Sequence, residues 1–439
     1  MSFYIQNELF PTLDKTTSSK KIVEKLKDQR SGTFVDNLKL PVHRWFRYSA
    51  GFSAGWACEL IKSKNVNVCS VLDPFAGSGT TLLVAESLGI KALGFEAHPF
   101  VYRIARAKLS WHLSSTEFVK ACIAVIGKAA KQTHIPEITN DGLLNKCYSQ
   151  DALTKLSALR TAYLDLKNDD PVWELVWLAI TGILRSCSNA GTAQWQYILP
   201  NKKKAKVFDP IYAFQSMTQI MSQDMEFAQQ AGWKQSAVIK LADARNPSIN
   251  SNQKYSLVIT SPPYPNNYDY ADATRLEMTF WGEVSGWGDL QDSVRKYLIR
   301  SCSQHSAAEK LILETLLNNA HLKQITPELT KVCETLAEVR LTKGGKKTYH
   351  TMIAAYFLDL AKVWKALRAL CEPDAEVCFV VGDSAPYGVY VPVDQWLGEL
   401  AVSNGFKKFS FEKIRDRNVK WKNRKHRVPL HEGRLWVYG

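Results

Sequence analysis

The chain has 439 residues, 46% of them apolar, and a formal net charge of +14. That length suits one large domain with insertions or two domains, and the charge favours nucleic acid as a partner, with a merely solvated basic surface as the alternative. The nine cysteines form no Cys-x-x-Cys pair, which argues against a zinc site or a disulfide framework, so no metal site is predicted.

Residues 1–42 are read as a polar, lysine-rich N-terminal extension with a short helix at about 18–29. Neither a secretory signal nor a run of about 18 apolar residues is found, so we expect a cytoplasmic protein without membrane contact. The aromatic and basic segment His43–Ser53 then leads into an apolar helix predicted over 56–61.

A glycine-rich loop follows the first predicted strand, Val68–Leu72, and precedes a helix that runs to about Leu88. This order is the first half of a nucleotide-binding βαβ unit. The loop lacks the Gly-Lys-Ser/Thr of a phosphate-binding loop, and Leu82 stands where a dinucleotide fingerprint has its third glycine. Asp73 would repel a pyrophosphate but attract a cationic amino group. S-adenosylmethionine, an adenosine with a positively charged amino-acid tail, fits these constraints.

Two further acids follow predicted strands. Lys91–Phe95 ends at Glu96, which is placed to accept both ribose hydroxyls, although a solvated surface glutamate is the alternative. A helix is predicted over 99–109. Val238–Leu241 is followed by Asp243, which is placed to accept the adenine amino group.

Two long segments interrupt this pattern. Residues 111–235 carry mostly helical periodicity and are predicted to be a helical insertion. Within it, Gln194–Tyr197 and Lys202–Lys206 form an aromatic and then basic loop, which is either a nucleic-acid contact or a solvated lysine run. Residues 265–349 form a second insertion, a candidate for target recognition because it leaves the sheet directly after Tyr264.

The apolar strand Tyr255–Thr260 ends in Ser261, Pro262, Pro263 and Tyr264. Successive prolines cannot donate ladder hydrogen bonds, so the strand must stop there and form a rigid shelf. In an open α/β sheet, ligands bind at this end of the strands.

The remaining elements are predicted as a helix over 350–370, a strand over 376–381, a helix over 393–403 and strands over 408–414 and 434–438. The last two strands are joined by a strongly basic loop that we expect to begin or end far from the cofactor. Its candidate nucleic-acid-binding residues are Arg415, Arg417, Lys420, Trp421, Lys422 and Arg424.

Together these motifs resemble the DNA amino-methyltransferases of the N4-cytosine/N6-adenine type, in the variant with Thr-Ser-Pro-Pro-Tyr. The resemblance covers residues 43–110 and 236–439 and implies an α/β fold, a Rossmann-like seven-stranded class I methyltransferase sheet with largely helical insertions. The stretch 73–80 matches that family's cofactor loop, and 260–264 matches its catalytic motif. The implied cofactor-binding residues are Phe52, Ser53, Asp73, Pro74, Phe75, Gly77, Gly79, Thr80, Glu96 and Asp243.

The implied activity is methyl transfer from S-adenosylmethionine to the N4 amine of cytosine in double-stranded DNA, as part of restriction-modification. Serine at 261 is associated with N4 targets, and Pro262 and Pro263 complete the catalytic set with Tyr264, on which a flipped-out base would stack. A cognate restriction or defence subunit is a further candidate partner. Alternatives are an N6-adenine or RNA amino-methyltransferase and a non-catalytic specificity subunit, whereas the basic loop disfavours a small-molecule methyltransferase.

Overall fold

The computed structural model describes residues 34–64, 70–132, 142–193, 197–247, 253–266, 269–304, 310–344, 347–417 and 428–439. The predictions for helix 18–29, for residues 194–196 and for Lys420, Trp421, Lys422 and Arg424 lie outside these ranges. The helices that the structure describes are α1 (Ala54–Ser63), α2 (Thr80–Ser87), α3 (Pro99–Leu109), α4 (Ser115–Ala130), α5 (Leu144–Cys147), α6 (Gln150–Leu166), α7 (Val172–Cys187), α8 (Pro210–Gln230), α9 (Arg275–Trp281), α10 (Leu290–Ser293), α11 (Leu313–Leu317), α12 (Thr326–Thr342), α13 (Tyr349–Leu370) and α14 (Val393–Ser403).

The strands are β1 (Ser70–Asp73), β2 (Lys91–Glu96), β3 (Ala190–Thr192), β4 (Ile198–Lys203), β5 (Ala237–Leu241), β6 (Tyr255–Thr260), β7 (Cys371–Gly382), β8 (Lys408–Arg417) and β9 (Leu430–Tyr438). Seven of them form one sheet in the order β5-β2-β1-β6-β7-β9-β8. All neighbours in it pair in parallel except β9, which is antiparallel to both β7 and β8. This is the sheet of a class I methyltransferase, and the predicted fold class is confirmed.

The structure of the last two strands corrects the predicted bounds of the basic loop. Strand β8 extends beyond residue 414 to Arg417, so Arg415 and Arg417 belong to a strand. Pairing with β9, in which Arg417 lies opposite Leu430, outweighs the weak strand preference of these charged residues. Because β9 alone is antiparallel, the connection between β8 and β9 leaves from the edge where β6 ends. The expectation that this connection begins or ends far from the cofactor edge is therefore wrong.

The first insertion contains more than helices. Besides α4 to α8 it contains the antiparallel hairpin β3–β4, and Lys202 and Lys203 belong to β4 rather than to a loop. One apolar core includes residues of both the insertion and the sheet. Phe100 of α3, for example, packs edge-on against Trp177 of α7 with ring centroids 5.3 Å apart. The insertion and the sheet are therefore packed as one body.

A buried carboxylate in this insertion holds the segment that precedes α1. Asp224 of α8 accepts hydrogen bonds from the Val42 backbone N–H, from the Trp45 indole and from both arms of the Arg44 guanidinium. The Arg44 and Asp224 side chains are each only 2% exposed. A buried ion pair is tolerated when further hydrogen bonds satisfy its remaining atoms, as they do here. The contact positions residues 48–52, which border the cavity described below.

Within the described ranges, none of the helices combines the length and the apolar character that crossing a membrane requires.

Candidate active site

A cavity opens at the edge of the sheet where the parallel strands end. Its walls come from the loops after β1, β2, β5 and β6 and from residues 48–52. Ten of the sequence-predicted residues line it: Phe52, Asp73, Pro74, Phe75, Gly77, Thr80, Glu96, Asp243, Ser261 and Pro263. Four others lie just outside the wall: Ser53, Gly79, Pro262 and Tyr264.

Two of these four residues support the wall from behind. Ser53 is fully buried, and its side-chain oxygen accepts a hydrogen bond from the Trp56 backbone N–H, which caps α1. Gly79 caps α2 with φ +88°, a left-handed conformation that side chains rarely adopt. Gly77, on the wall itself, has φ +53°, and a Cβ there would lie 3.2 Å from a ring carbon of Tyr48. Both positions therefore favour glycine for its backbone conformation, and a side chain at Gly77 would also crowd Tyr48.

Asp73 connects three parts of the site. Its carboxylate accepts hydrogen bonds from the Thr260 hydroxyl at 2.6 Å, from the Thr81 hydroxyl at 2.6 Å and from the Phe75 backbone N–H at 3.0 Å. Burial raises the pKa of Asp73 to about 6, although these hydrogen bonds act in the opposite direction. Most of its acceptor capacity is therefore used within the protein.

Glu96 lies on the other side of the loop. Its two oxygens accept hydrogen bonds from the backbone N–H groups of Gly77 at 2.9 Å and His98 at 2.8 Å. Burial raises the pKa of Glu96 to about 7, and the charge of Asp73 adds to that shift. The loop is thus held between two carboxylates, and both residues line the cavity.

His98 joins this edge to the second insertion. Its Nε2 lies 2.9 Å from the Thr274 hydroxyl, and burial lowers the pKa of the imidazole to about 3, so the ring is neutral. The ring also lines the cavity. It connects the tip of β2 to the segment that follows the catalytic motif.

Asp243 is paired within the protein. Its carboxylate binds the Arg245 guanidinium, which also contacts Asp359 of α13 at 3.1 Å. Asp359 in turn binds Arg300 of the second insertion at 2.6 Å. Arg245 carried no sequence pattern that marked it, and it fixes the tip of β5 to two other elements.

At the catalytic shelf, the Ser261 hydroxyl donates a hydrogen bond to the Val380 carbonyl at 3.1 Å. Since its hydrogen is used in this way, its oxygen can act toward a ligand only as an acceptor. Tyr264 lies beside it, and burial raises the pKa of its phenol well above the usual value.

Arg417 covers one face of the Tyr264 ring, with the guanidinium carbon 5.2 Å from the ring centroid. Its Nη1 donates to the Asp383 carbonyl at 2.6 Å. Gly382 makes this arrangement possible, because a Cβ there would lie 2.7 Å from that Arg417 nitrogen and 3.1 Å from Tyr264. Arg415, by contrast, pairs with Glu432 at 2.8 Å. The structure thus brings Arg417 to the catalytic motif.

Other wall residues were not predicted as site residues, among them Tyr48, Tyr270, Tyr297, Leu298 and Ile299. Tyr270 follows the catalytic motif closely enough that its aromatic character was a usable signal. Residues 297–299 lie far along the second insertion and reach the cavity only through the tertiary fold. Part of that insertion therefore closes the cavity.

A model of the DNA methylase family matches residues 15–107, which include the cofactor loop and the tip of β2. The chain is also similar to Type II methyltransferase M.BsoBI of Geobacillus stearothermophilus, with 24% identity over 94% of this chain and 89% of that protein. These matches support the resemblance to the DNA amino-methyltransferases that the sequence motifs indicate.

Two further relatives have similar coverage. Type II methyltransferase M.AvaI of Nostoc sp. is 25% identical over 85% of this chain and 81% of that protein. Type II methyltransferase M.MvaI of Kocuria varians is 20% identical over 89% and 87%. Among solved structures, an rRNA methyltransferase, AviRa of Streptomyces viridochromogenes, covers 88% of this chain and 85% of its own at 10% identity, with a TM-score of 0.30. That likeness is too low to support an argument, and the fold assignment stands on the strand order of the sheet.

The similarity to this family implies S-adenosylmethionine as the methyl donor. The cavity lies at the edge of an open α/β sheet where ligands bind, beyond the ends of the parallel strands. Its lining also suits such a ligand, since it combines carboxylates, among them Glu96, with the aromatic residues Phe75 and Tyr297. When bound, this cofactor supplies a methyl group activated by a sulfonium. The individual contacts assigned from the sequence remain predictions.

We expect affinity for S-adenosylhomocysteine, the demethylated product, to rise between pH 6 and pH 8. Because the pKa of Glu96 is about 7, the carboxyl is largely protonated at the lower pH and ionised at the higher. An ionised carboxylate is the stronger acceptor for hydroxyl groups. Calorimetry across this range should show weaker and much less pH-dependent binding for Glu96→Gln. A wild-type affinity that stays constant or falls with rising pH would contradict this role for Glu96.

Proposed function

We propose that this chain methylates the exocyclic N4 amine of cytosine in double-stranded DNA, as the modification enzyme of a restriction-modification system. The supporting observation is the Ser261 hydroxyl, which lines the cofactor cavity and gives its hydrogen to the Val380 carbonyl. The family carries its acceptor at this position, and serine there is associated with N4 targets. The relatives named above, all Type II methyltransferases, support the cellular role.

The proposed chemistry depends on hydrogen-bond acceptors. The amino lone pair of cytosine is delocalised into the ring and is a poor nucleophile. If Ser261 Oγ and the Pro262 carbonyl accept the two amino hydrogens, the nitrogen becomes pyramidal and its lone pair is localised toward the methyl donor. Both acceptors sit on a shelf made rigid by two prolines, so positioning and electrostatics supply the catalysis.

The target base must leave the duplex to reach this shelf. Tyr264 is the proposed stacking surface, and Arg417 already covers one face of its ring. We therefore propose that the flipped base uses the other face. Arg417, held by the Asp383 carbonyl, would also place a positive charge beside the flipped nucleotide.

The identity of the product tests this proposal. We expect DNA from a methylation-deficient bacterial host that expresses the chain to contain N4-methylcytosine, detected by mass spectrometry of nucleosides. Ser261→Ala should abolish or strongly reduce the product because one acceptor of the amino group is lost. Ser403→Ala is the matched control, since its hydroxyl caps the end of α14 by donating to the Leu400 carbonyl. Detection of N6-methyladenine or carbon-5-methylcytosine instead would overturn the N4 assignment.

DNA is proposed to bind along the edge where Ser261, Arg417 and the ends of both insertions meet. The second insertion, residues 265–349, is the proposed sequence reader because it begins directly after Tyr264. The first insertion contacts the start of the second one. The Asp269 backbone N–H donates a hydrogen bond at 2.5 Å to the hydroxyl of Tyr197, which directly precedes β4. Exposed Lys202 and Lys203 on β4 are thus a second candidate for phosphate contact.

We expect the triple variant Lys420→Ala, Lys422→Ala, Arg424→Ala to weaken binding of all DNA sequences about equally. Each lost phosphate contact should reduce the slope of log affinity against log salt by about 0.9. A matched control is Lys120→Ala, Lys128→Ala, Lys131→Ala, because α4 follows α3, which ends at the opposite edge of the sheet. DNA-binding titrations at several salt concentrations would measure this slope. An unchanged slope in the first triple variant would contradict phosphate contact by these residues and favour Lys202 and Lys203 of β4 instead.

A further inference from the structure

Tyr356 of α13 carries a buried hydroxyl that has no hydrogen-bond partner among the described residues. Its side chain is fully buried, and its oxygen makes no hydrogen bond to any described residue. Removing a hydroxyl from water without a replacement hydrogen bond is costly, so such a group calls for an explanation. A polar ligand that enters the protein could supply the missing acceptor.

The position of Tyr356 along α13 places it near the active-site edge. Helix α13 begins at that edge, where the ring of Tyr349 lies 4.7 Å from the ring of Tyr387, just beyond β7. One turn after Tyr356, Asp359 reaches Arg245 beyond the tip of β5 and Arg300 in the second insertion. Tyr356 lies between these two contacts and therefore at the level of the site.

Its neighbours are site residues. Burial raises the pKa of Tyr356 well above the usual value, and Tyr270 and Tyr264 act on it in the same direction. Tyr270 lines the cavity, and Tyr264 belongs to the catalytic motif. At neutral pH the Tyr356 phenol is therefore a neutral hydrogen-bond donor within electrostatic range of the shelf residue Tyr264 and of the wall residue Tyr270.

Trp364 on the same helix is an instructive contrast. Its indole nitrogen is also buried and makes no hydrogen bond to a described residue. However, its ring stacks on Phe379 with centroids 4.4 Å apart and meets Phe406 edge-on at 5.5 Å. Trp364 is a core residue two turns further from the edge. A missing hydrogen-bond partner therefore does not by itself indicate a ligand-binding residue. Tyr356 differs from Trp364 because it lies at the level of the candidate active site.

We propose, on the basis of the function proposed above, that the Tyr356 hydroxyl binds the flipped target base by donating a hydrogen bond to the ring nitrogen beside its amino group. Ser261 Oγ and the Pro262 carbonyl are both acceptors and serve only the amino hydrogens. The adjacent ring nitrogen of cytosine loses its water on entry and needs a donor. This pattern of acceptors and one donor rejects thymine, which has a carbonyl in place of the amino group and an N–H in place of the ring nitrogen.

The test is Tyr356→Phe, which removes only the hydroxyl. We expect kcat/KM for DNA carrying the target site to fall about tenfold, which corresponds to one lost hydrogen bond. Affinity for S-adenosylhomocysteine should be unchanged, and the Tm should be unchanged or higher because an unpaired buried hydroxyl has been removed. Tyr148→Phe is the control, since its buried hydroxyl donates to the Leu184 carbonyl at 3.0 Å. That variant should lose Tm and keep kcat/KM.

A modified substrate tests the proposed hydrogen bond by removing its acceptor, the ring nitrogen of the target base. A duplex with 3-deazacytosine at the target, which lacks the ring nitrogen, should react about tenfold more slowly with the wild type. With Tyr356→Phe, the same replacement should cause no further loss. An unaltered kcat/KM in Tyr356→Phe, or additive losses from the two changes, would overturn this contact. A wild type that binds the cofactor but modifies no DNA would contradict the proposed function instead.

Discussion

The hydrogen bond between the Asp73 carboxylate and the Thr260 hydroxyl couples the two halves of this active site. Asp73 ends β1 and begins the cofactor loop, and Thr260 ends β6 and precedes Ser261. The 2.6 Å contact joins them across neighbouring parallel strands. Through its other bonds, to Thr81 and Phe75, the same carboxylate also holds the start of α2 and the loop itself. Cofactor loop and catalytic shelf are therefore positioned by one buried group.

This coupling suits a direct methyl transfer. A displacement in which one atom moves between two others depends on distance and alignment, and a shift of about 1 Å is enough to slow it severely. Glu96 completes the arrangement by holding Gly77 from the other side of the loop. The Arg245–Asp359–Arg300 network fixes the tip of β5 to α13 and to the second insertion. The charged groups named here thus hold the loops of this edge in place.

The sequence predicted the parts of the site that depend on local pattern. Short apolar strands ending in an acid or in two prolines located Asp73, Glu96 and Ser261 at one edge, and ten predicted residues line one cavity. The helices over 99–109 and 393–403 were also predicted with the bounds that the structure has.

The predictions that failed concerned features that depend on contacts between distant segments of the chain. Strand β8 extends to Arg417 because β9 pairs with it, and nothing in the local charge pattern indicated that partner. The hairpin β3–β4 was missed because its lysines read as solvated loop. Tyr297 reaches the cavity from far along the second insertion, where neighbouring residues carry no mark of function. Arg245 follows the predicted Asp243, but its link to Asp359 of α13 depends on the tertiary fold. Asp73 was recognised by position, but its internal hydrogen bonds required the fold.

The most direct test of the coupling is Thr260→Val, which keeps the shape of a buried side chain and removes the hydroxyl that binds Asp73. The rate of methyl transfer should be measured in single turnovers at saturating cofactor, alongside affinity for S-adenosylhomocysteine, with Thr335→Val on the exposed face of α12 as control. Because the bond involves a carboxylate, we expect the rate to fall between about tenfold and a hundredfold, with a smaller change in cofactor affinity. A Thr260→Val protein that binds cofactor and transfers methyl groups as fast as the wild type would contradict this account.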